Sequence, residues 1–354
     1  MNEKECLKVG LVGCGEVANW AHLPSFKRLK QAEVVAVCDV EEKEAASTAQ
    51  RFHISQYYTD FSEMLAREKL DMVEICTPPD THAAIAISAM EAGCHVLVEK
   101  PMAVTAREAD EMIRAAKERV VNLGVVHNML YVPVGLKAIN MVSEGVIGQV
   151  TGVDVKYSLC QYDKEISERY HWCRRLAGDV FGNKLPHPVY LIKAFLGEME
   201  LVSVYAMKLS LHDWIPYDEV RVILKGGRGI GTITSSLNWP KDTAMLDIFG
   251  TKMNLHVYFN NAVITRYGHE RFGRFSRGME NLSQNWQVST GTALMAGRIA
   301  AGRHHYGHLA LIQKFVESIS RQTEPPVTAE EGREVTRLCE EIISQLNRSG
   351  QKTP

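Results

Sequence analysis

The sequence predicts an α/β chain in two parts: a doubly wound parallel sheet over residues 1–126, then an α+β region over 127–354 with a large, mostly antiparallel open sheet. Three observations predict it. Short apolar strand-like runs alternate with helical stretches through the first part, the pattern of a parallel sheet with crossover helices. The first of those strands runs into Gly13-Cys14-Gly15-Glu16-Val17-Ala18, a glycine turn that opens a helix. Beyond residue 200, β-like segments follow one another through short turns, as antiparallel neighbours do.

At 354 residues the chain is long enough for two domains with sizeable cores. Its 40 Lys and Arg against 42 Asp and Glu leave a formal charge of −2 with no basic run, so no nucleic acid or anionic membrane is expected as partner. No apolar run is long enough to cross a bilayer. The acidic start passes straight into a strand, so no signal peptide is expected and the predicted location is cytoplasmic. The eight cysteines form no Cys-x-x-Cys pair and read as free thiols in a reducing compartment; no metal site is expected.

The first strand is Lys8 to Val12. In the turn after it, Gly13 permits the tight bend, Gly15 lets the backbone approach a pyrophosphate, and small Ala18 lets helix and strand pack closely. Glu16 and Val17 open the helix, whose first N–H groups face the phosphates. The second strand, Glu33 to Cys38, ends on Asp39, 24 residues beyond Gly15, where a carboxylate can accept hydrogen bonds from the adenosine ribose and repel a 2′-phosphate. That favours NAD over NADP. Asp39 also suits a cap for the helix Glu41 to Phe52. Asp60 to Glu63 has the form of a capping box. The strand Asp71 to Cys76 ends in Thr77-Pro78-Pro79-Asp80-Thr81-His82, where Asp80 or Thr81 can cap the next helix. Val96 to Val98 form a buried strand ending on Glu99-Lys100-Pro101, so Lys100 projects where ligands collect in an open parallel sheet, and Pro101 stiffens the turn. A capping box, Thr105 to Glu108, then starts a helix to about Glu118, and the strand Val120 to Val126 completes the set.

The ordered motifs GCGEVA with Asp39, TPPDTHA and EKP resemble the Gfo/Idh/MocA family of glucose–fructose oxidoreductase, inositol dehydrogenase and rhizopine catabolism, over essentially the whole chain. The resemblance implies a Rossmann domain binding NAD or NADP, with cofactor contacts at Gly13, Gly15, Glu16, Val17, Asp39, Thr77, Pro78, His82, Glu99 and Lys100. It implies that Lys100 reaches both cofactor and substrate, and that Asn128 and Tyr131 are substrate contacts.

A helix is expected from Pro133 to Ser143 and a half-buried strand from Val150 to Leu159. The segment Leu176 to Tyr190 resembles the family's glycine-rich turn and Asp-x-x-x-His pair: His187 matches the histidine, and Asn183 stands at the acid position. Spacing of four puts both on one face if the segment is helical. Hydride transfer from a secondary alcohol needs a base for the hydroxyl proton; His187 suits that role, Lys100 would stabilise charge on the same oxygen, and Asn183 would orient the ring. Asp179 is a weaker candidate for the missing carboxylate.

Six β-like segments follow between Leu201 and Arg266; the open sheet they make has a face to cover, which the resemblance implies is buried in a homodimer or homotetramer. Residues 271–303, with five Arg and several Gly, read as a mobile loop or an excursion near the site. Two helices close the chain, the second opening on a capping box at Thr328; they are expected to pack back on the first domain. The expected activity is an NAD-dependent dehydrogenase acting on a sugar, cyclitol or sugar derivative. The alternatives are an NAD-binding sensor without turnover and a glycosidase that recycles its NAD.

Overall fold

The computed structural model describes residues 6–209, 212–268, 274–300 and 307–350. They form two compact units, one of residues up to Asn128 with the stretch to Glu340 that contains the last two helices' packing faces, the other of residues from Met129 to the end of the long helix before that stretch, with residues from Glu341.

In the first unit, β1 (Leu7–Val12), β2 (Ala32–Cys38), β3 (Gln56–Tyr58), β4 (Met72–Ile75), β5 (His95–Val98) and β6 (Leu123–Val125) form one sheet in the order β3-β2-β1-β4-β5-β6. Every pairing is parallel. The order reverses between β1 and β4, which opens a crevice at their carboxyl ends. All four residues of β4 are buried, as expected for a strand covered on both faces; one of them is Glu74, in a place ordinarily held by an apolar residue.

The connecting helices begin and end where side-chain chemistry dictates. The run opened by the glycine turn passes through a π-helical turn, Ala18–His22, into α1 (Leu23–Phe26). The helix α2 (Glu42–Phe52) stops on His53 in the left-handed region. Asp60 caps α3 (Phe61–Arg67) by accepting from the N–H groups of Ser62 and Glu63. For α4 (His82–Glu91) Thr81 stands at the N-cap but does not cap by its side chain; its hydroxyl turns back to Thr77 Oγ1 at 2.7 Å and to the Pro78 carbonyl at 2.8 Å. The Thr105 capping box of α5 (Ala106–Arg119) is complete in both directions. Val120 takes the left-handed cap after α5, so β6 starts three residues later than apolarity alone predicts.

In the second unit, α6 (Pro133–Ser143), β7 (Val150–Ser158), α7 (Lys164–Ser167), α8 (Val180–Lys184) and α9 (Pro186–Leu196) precede β8 (Met199–Met207), β9 (Glu219–Gly226), β10 (Gly229–Ser236), β11 (Thr243–Gly250), β12 (Asn254–Tyr258) and β13 (Val263–Tyr267). The seven strands order β13-β12-β11-β7-β10-β9-β8, and only β10 and β7 pair in parallel. One face buries Val153, Val155, Val222, Ile233, Leu246 and Val257, and α9 packs on β7 and β10. Val202, Tyr205, Met207, Ile223 and Ile230 are exposed in the β8–β9–β10 part of the sheet.

The expected loop at 271–303 is instead largely helix, α10 (Arg274–Ala300). Arginine is a good helix former, and glycine's cost of about 1 kcal/mol in a helix is overcome by tertiary packing. Gly291 lies so close to Val263 that an added Cβ would sit 3.2 Å from its Cγ2. Gln287 bonds both the N–H and the carbonyl of Arg266. The remaining helices are α11 (His308–Arg321) and α12 (Ala329–Gly350), the latter opened by reciprocal hydrogen bonds between Thr328 and Glu331.

Candidate active site

The glycine turn is shaped by what crowds it and what does not. Gly13 has φ of +91°, and a Cβ there would lie 2.7 Å from the backbone of Cys76 and Thr77, where β4 ends. A Cβ on Gly15 would meet nothing within 4 Å. The first position is glycine for the fold, and the second leaves open space into which a pyrophosphate fits. Asp39 ties the turn to the next helix: its carboxylate accepts from Cys14 N at 2.7 Å and from Glu41 N at 3.0 Å. A carboxylate has about four acceptor sites, so capacity for ribose hydroxyls remains. Beside the turn lies a cleft of about 550 Å³ lined by Cys14, Gly15, Glu16, Asn19, Trp20, Glu44 and Arg51. This size suits part of a dinucleotide. Gly13→Ala is expected to destabilise the protein by about 1–3 kcal/mol through backbone strain. Gly15→Ala is expected to leave thermal stability unchanged and to weaken NAD binding about tenfold or more by filling the phosphate space. Melting curves and NAD titrations of the two variants would separate these effects.

At the carboxyl ends of β4 and β5, the Thr77–Pro78 turn and the Lys100–Pro101 turn are fastened together by His82. Its ring is fully buried, with Nδ1 2.9 Å from the Pro101 carbonyl and Nε2 2.8 Å from the Thr77 carbonyl. Burial pushes this ring towards its neutral form, against the two carbonyls, which both call for an N–H. Both nitrogens being engaged, His82 braces the turns from behind instead of facing the crevice.

Lys100 is half-buried, and its peptide bond to Pro101 is cis. Its backbone N–H donates to Glu99 Oε2 at 3.0 Å. Glu99 points inward, 6% exposed, and its Oε1 lies 2.9 Å from His22 Nε2 and 3.6 Å from His308 Nε2. His22 Nδ1 lies 2.7 Å from Glu74 Oε1. Burial alone would raise the Glu99 carboxyl, but hydrogen bonds from His22 and His308 and the charges of His22 and Lys100 hold it well below the usual carboxylate range. Burial works against a charge on His22, yet Cys76 and Glu74 more than reverse it; Glu74 itself is pushed up by burial. The contact with Glu74 therefore favours a protonated His22, whose Nε2–H donates to Glu99. His22, Glu74 and Cys76, or His22, Glu99 and His308, bring metal-ligating atoms within 4.8 Å of one another. Contacts of 2.7 and 2.9 Å between His22 and its carboxylates are hydrogen-bond distances.

Asn128 to Tyr131 form a single 3₁₀ turn, with Asn128 in the first unit and Tyr131 in the second. In the second unit, His187 sits in the first turn of α9 between Pro186 and Pro188, whose missing N–H groups are not needed there. Its Nδ1 lies 2.8 Å from Tyr190 Oη, which also accepts from Met129 N at 3.2 Å. The Tyr157 ring stacks on the imidazole, with centroids 5.2 Å apart. These contacts fix the ring's rotation; the Tyr190 hydroxyl can meet Nδ1 as acceptor or as donor, and with Nδ1 protonated Nε2 would be the basic nitrogen. Asn183 is buried on α8 and donates through Nδ2 to Glu165 Oε2 at 3.1 Å. Asp179, with φ of 55°, caps α8 by accepting from Val180 N at 2.6 Å and is paired with Arg174, so its carboxylate is committed to those two partners.

Comparison with known proteins settles the lineage. Residues 7–127 match the oxidoreductase family NAD-binding Rossmann fold of Gfo/Idh/MocA proteins, and residues 139–351 match that family's C-terminal alpha/beta domain. The chain belongs to the Gfo/Idh/MocA oxidoreductase family. It is an oxidoreductase with NAD as its cofactor. Among curated relatives it is 26% identical over 262 residues to oxidoreductase P35 of Formosa agariphila, covering 72% of this chain and 80% of that protein. It is 36% identical over 112 residues to D-glucoside 3-dehydrogenase of Escherichia coli, covering 32% of each. A glycosyl hydrolase family 109 protein of Shewanella is 30% identical over 194 residues, 50% of this chain and 42% of that one, so both of the latter matches span under half of the relative. Among solved structures, levoglucosan dehydrogenase in complex with NADH and levoglucosan superposes with a TM-score of 0.81 at 20% identity over 98% of each chain. The WlbA dehydrogenase of Bordetella pertussis, with NADH and UDP-GlcNAcA, gives 0.79 at 22% identity over 98% of this chain and 96% of that one. These two establish the shared fold. Among the described residues no helix is long and apolar enough to cross a membrane.

Proposed function

We propose that this chain removes a hydride from a secondary carbinol of a sugar, cyclitol or sugar derivative, with Lys100 and His187 at the reacting oxygen. One observation carries the reading. Lys100 stands at the carboxyl end of β5, in the sheet whose order reverses beside the glycine turn, and it is buttressed there by a buried carboxylate. NAD, bound over Gly13 to Val17 with Asp39, Thr77 and Pro78 around it, supplies the hydride acceptor. The protein's own part is positional and electrostatic. Lys100 donates a hydrogen bond to the substrate oxygen and stabilises negative charge developing there. His187 takes the hydroxyl proton on Nε2, with Tyr190 holding Nδ1. Asn128 and Tyr131 contact the sugar's other hydroxyls. The relatives acting on D-glucosides, levoglucosan and a nucleotide sugar support carbohydrate as the substrate class. The exposed apolar residues of β8 to β10 form a face suited to a second copy of the chain, giving a homodimer or homotetramer; an elution volume matching a monomer would refute this.

A screen of polyols, aldoses, glycosides, sugar acids and nucleotide sugars with NAD and NADP tests the reading; no NAD-dependent oxidation of any class would refute it. NAD is the preferred nucleotide on the strength of Asp39. Asp39→Asn keeps hydrogen-bonding capacity but removes the charge, and is expected to shift the NADP-to-NAD affinity ratio about tenfold towards NADP. An unchanged ratio in fluorescence titrations would remove Asp39 from the ribose site.

The family 109 relatives favour a second reading, a glycosidase that keeps its NAD and recycles it. NAD that survives gel filtration, with glycoside cleavage and no net NADH, would select it.

A further inference from the structure

We propose that Glu165 is the positioning carboxylate of the proton-transfer site, doing through Asn183 what an acid at position 183 would do directly. The inference rests on His187 being the base. Asn183 is 5% exposed, and a buried amide must find partners. Its Nδ2 finds Glu165 Oε2 at 3.1 Å, while Glu165 Oε1 lies 2.6 Å from Lys184 Nζ. Both charged side chains are 17% exposed, so the carboxylate is held largely out of water.

The segment carrying Glu165 is unusually well fastened for a helix of one turn. Asp163 caps it by accepting from Glu165 N at 2.8 Å. The Arg174 guanidinium donates to the carbonyls of Glu165 and Ile166, and on its other side pairs with Asp179. Trp214 Nε1 donates to the same Ile166 carbonyl at 3.3 Å. A surface ion pair does not need this scaffolding; a carboxylate that must hold another side chain in register does.

The pair also reaches His187 by a second route. Tyr157, stacked on the imidazole, is buried with its phenol pushed up to about 12: burial raises it, Lys184 lowers it, and Glu165 raises it again. The charged and titratable groups facing this cluster are Lys184, Tyr157, Asp163 and Asp242, with Tyr190 on the imidazole itself. Glu165 fixes the Asn183 amide four residues ahead of His187, across the α8–α9 junction where Leu185 keeps helical backbone angles, and a carboxylate held in that neighbourhood would favour a protonated imidazole. Burial disfavours a charge on Lys184, but Glu165 and Tyr157 together raise it well above its ordinary value, so the lysine stays cationic.

The test moves the carboxylate. His187 is followed by NMR titration of its imidazole in the NAD-saturated protein, identified by its loss in His187→Asn, and turnover is measured on the best substrate from the screen. Glu165→Gln is expected to lower the His187 titration by about one pH unit and kcat about tenfold, with KM changed less than about threefold. Glu165→Gln with Asn183→Asp restores the acid at the helix and is expected to recover both. Asn183→Asp alone sets two carboxylates together and is expected to be slower than the parent. A His187 titration that does not move in Glu165→Gln, or a double variant no better than Glu165→Gln, would overturn the proposal. Because the titration needs no substrate, it reports on Glu165 even if every candidate alcohol fails, an outcome that would refute the dehydrogenase reading instead.

Discussion

Lys100→Met is expected to lower turnover by about three orders of magnitude while changing NAD affinity only a few-fold. Methionine keeps the length and apolar stem of lysine but removes the ammonium. A single donor aimed at a developing oxyanion is worth about 10²–10³ in rate, and a full positive charge in a site shielded from water stands at or above the upper end. The half of the lysine that organises the turn lies in its backbone, whose N–H donates to Glu99 and is kept in the variant. The glycine turn at Gly13 and Gly15 and the Asp39 bond to Cys14 N, proposed to hold the nucleotide, are likewise untouched. His187→Ala is expected to cost about 10²–10⁴ in rate, as loss of a general base does. Under the proposed roles the two losses would not add, so the double variant should be little slower than the worse single one. Initial rates of NADH formation at saturating NAD check all three. Lys100→Met turnover within tenfold of the parent would take the lysine out of the chemistry.

How much of this was legible in the sequence depends on the range of the interactions. Most of the parallel sheet was legible because its strands, β3 excepted, are short apolar runs and some helix starts carry a local signal, as at Asp60 and Thr105. The glycine turn was legible for the same reason: Gly13 and Gly15 differ from other glycines by their neighbours in sequence. His22, Glu74 and His308 carried no such signal. Glu74 sits inside a run that reads as plain strand, and its partner is 52 residues away in the chain. Glu165 was hidden likewise: Asn183 looked like a missing acid because the carboxylate it holds lies 18 residues upstream on another element. His82 lay within a legible motif, but only the packing reveals that both its nitrogens are used by carbonyls. The misreading of α10 came from treating arginine and glycine as loop formers, when side-chain bonds to β13 and a close approach at Gly291 supply what local propensity lacks.

His22→Ala is expected to have the largest effect on stability, about 3–5 kcal/mol, because it strands two buried carboxyl groups at once. Glu74 is fully buried, and its Oε2 already has no hydrogen-bond partner, so the loss of His22 from Oε1 leaves the whole carboxyl unsatisfied. Glu99 would keep only His308 and the Lys100 N–H. The pH dependence follows from the directions of the shifts. His22 holds its proton well above the ordinary histidine value, so its contribution is fully present below about pH 6.5 and is lost as pH rises through the raised value. Glu99 is held well below the carboxylate range, so its contribution is present above about pH 4.3 and is lost as pH falls through the lowered value. Between about pH 4.3 and 6.5 these two contributions are both complete in the parent protein. In His22→Ala the carboxyls have lost the donor that made ionisation affordable in the interior, so they bind protons more tightly than in the unfolded chain. Stability of the variant should therefore fall as pH rises above about 4.3, and the gap from the parent should widen from pH 5 to pH 7. A chain of two units need not unfold in one step, so the sharper measurement is amide hydrogen exchange in β4 and β5 as a function of pH. Protection there that is unchanged by the substitution, or a gap that narrows with rising pH, would mean that Glu74 and Glu99 do not depend on His22 for their burial.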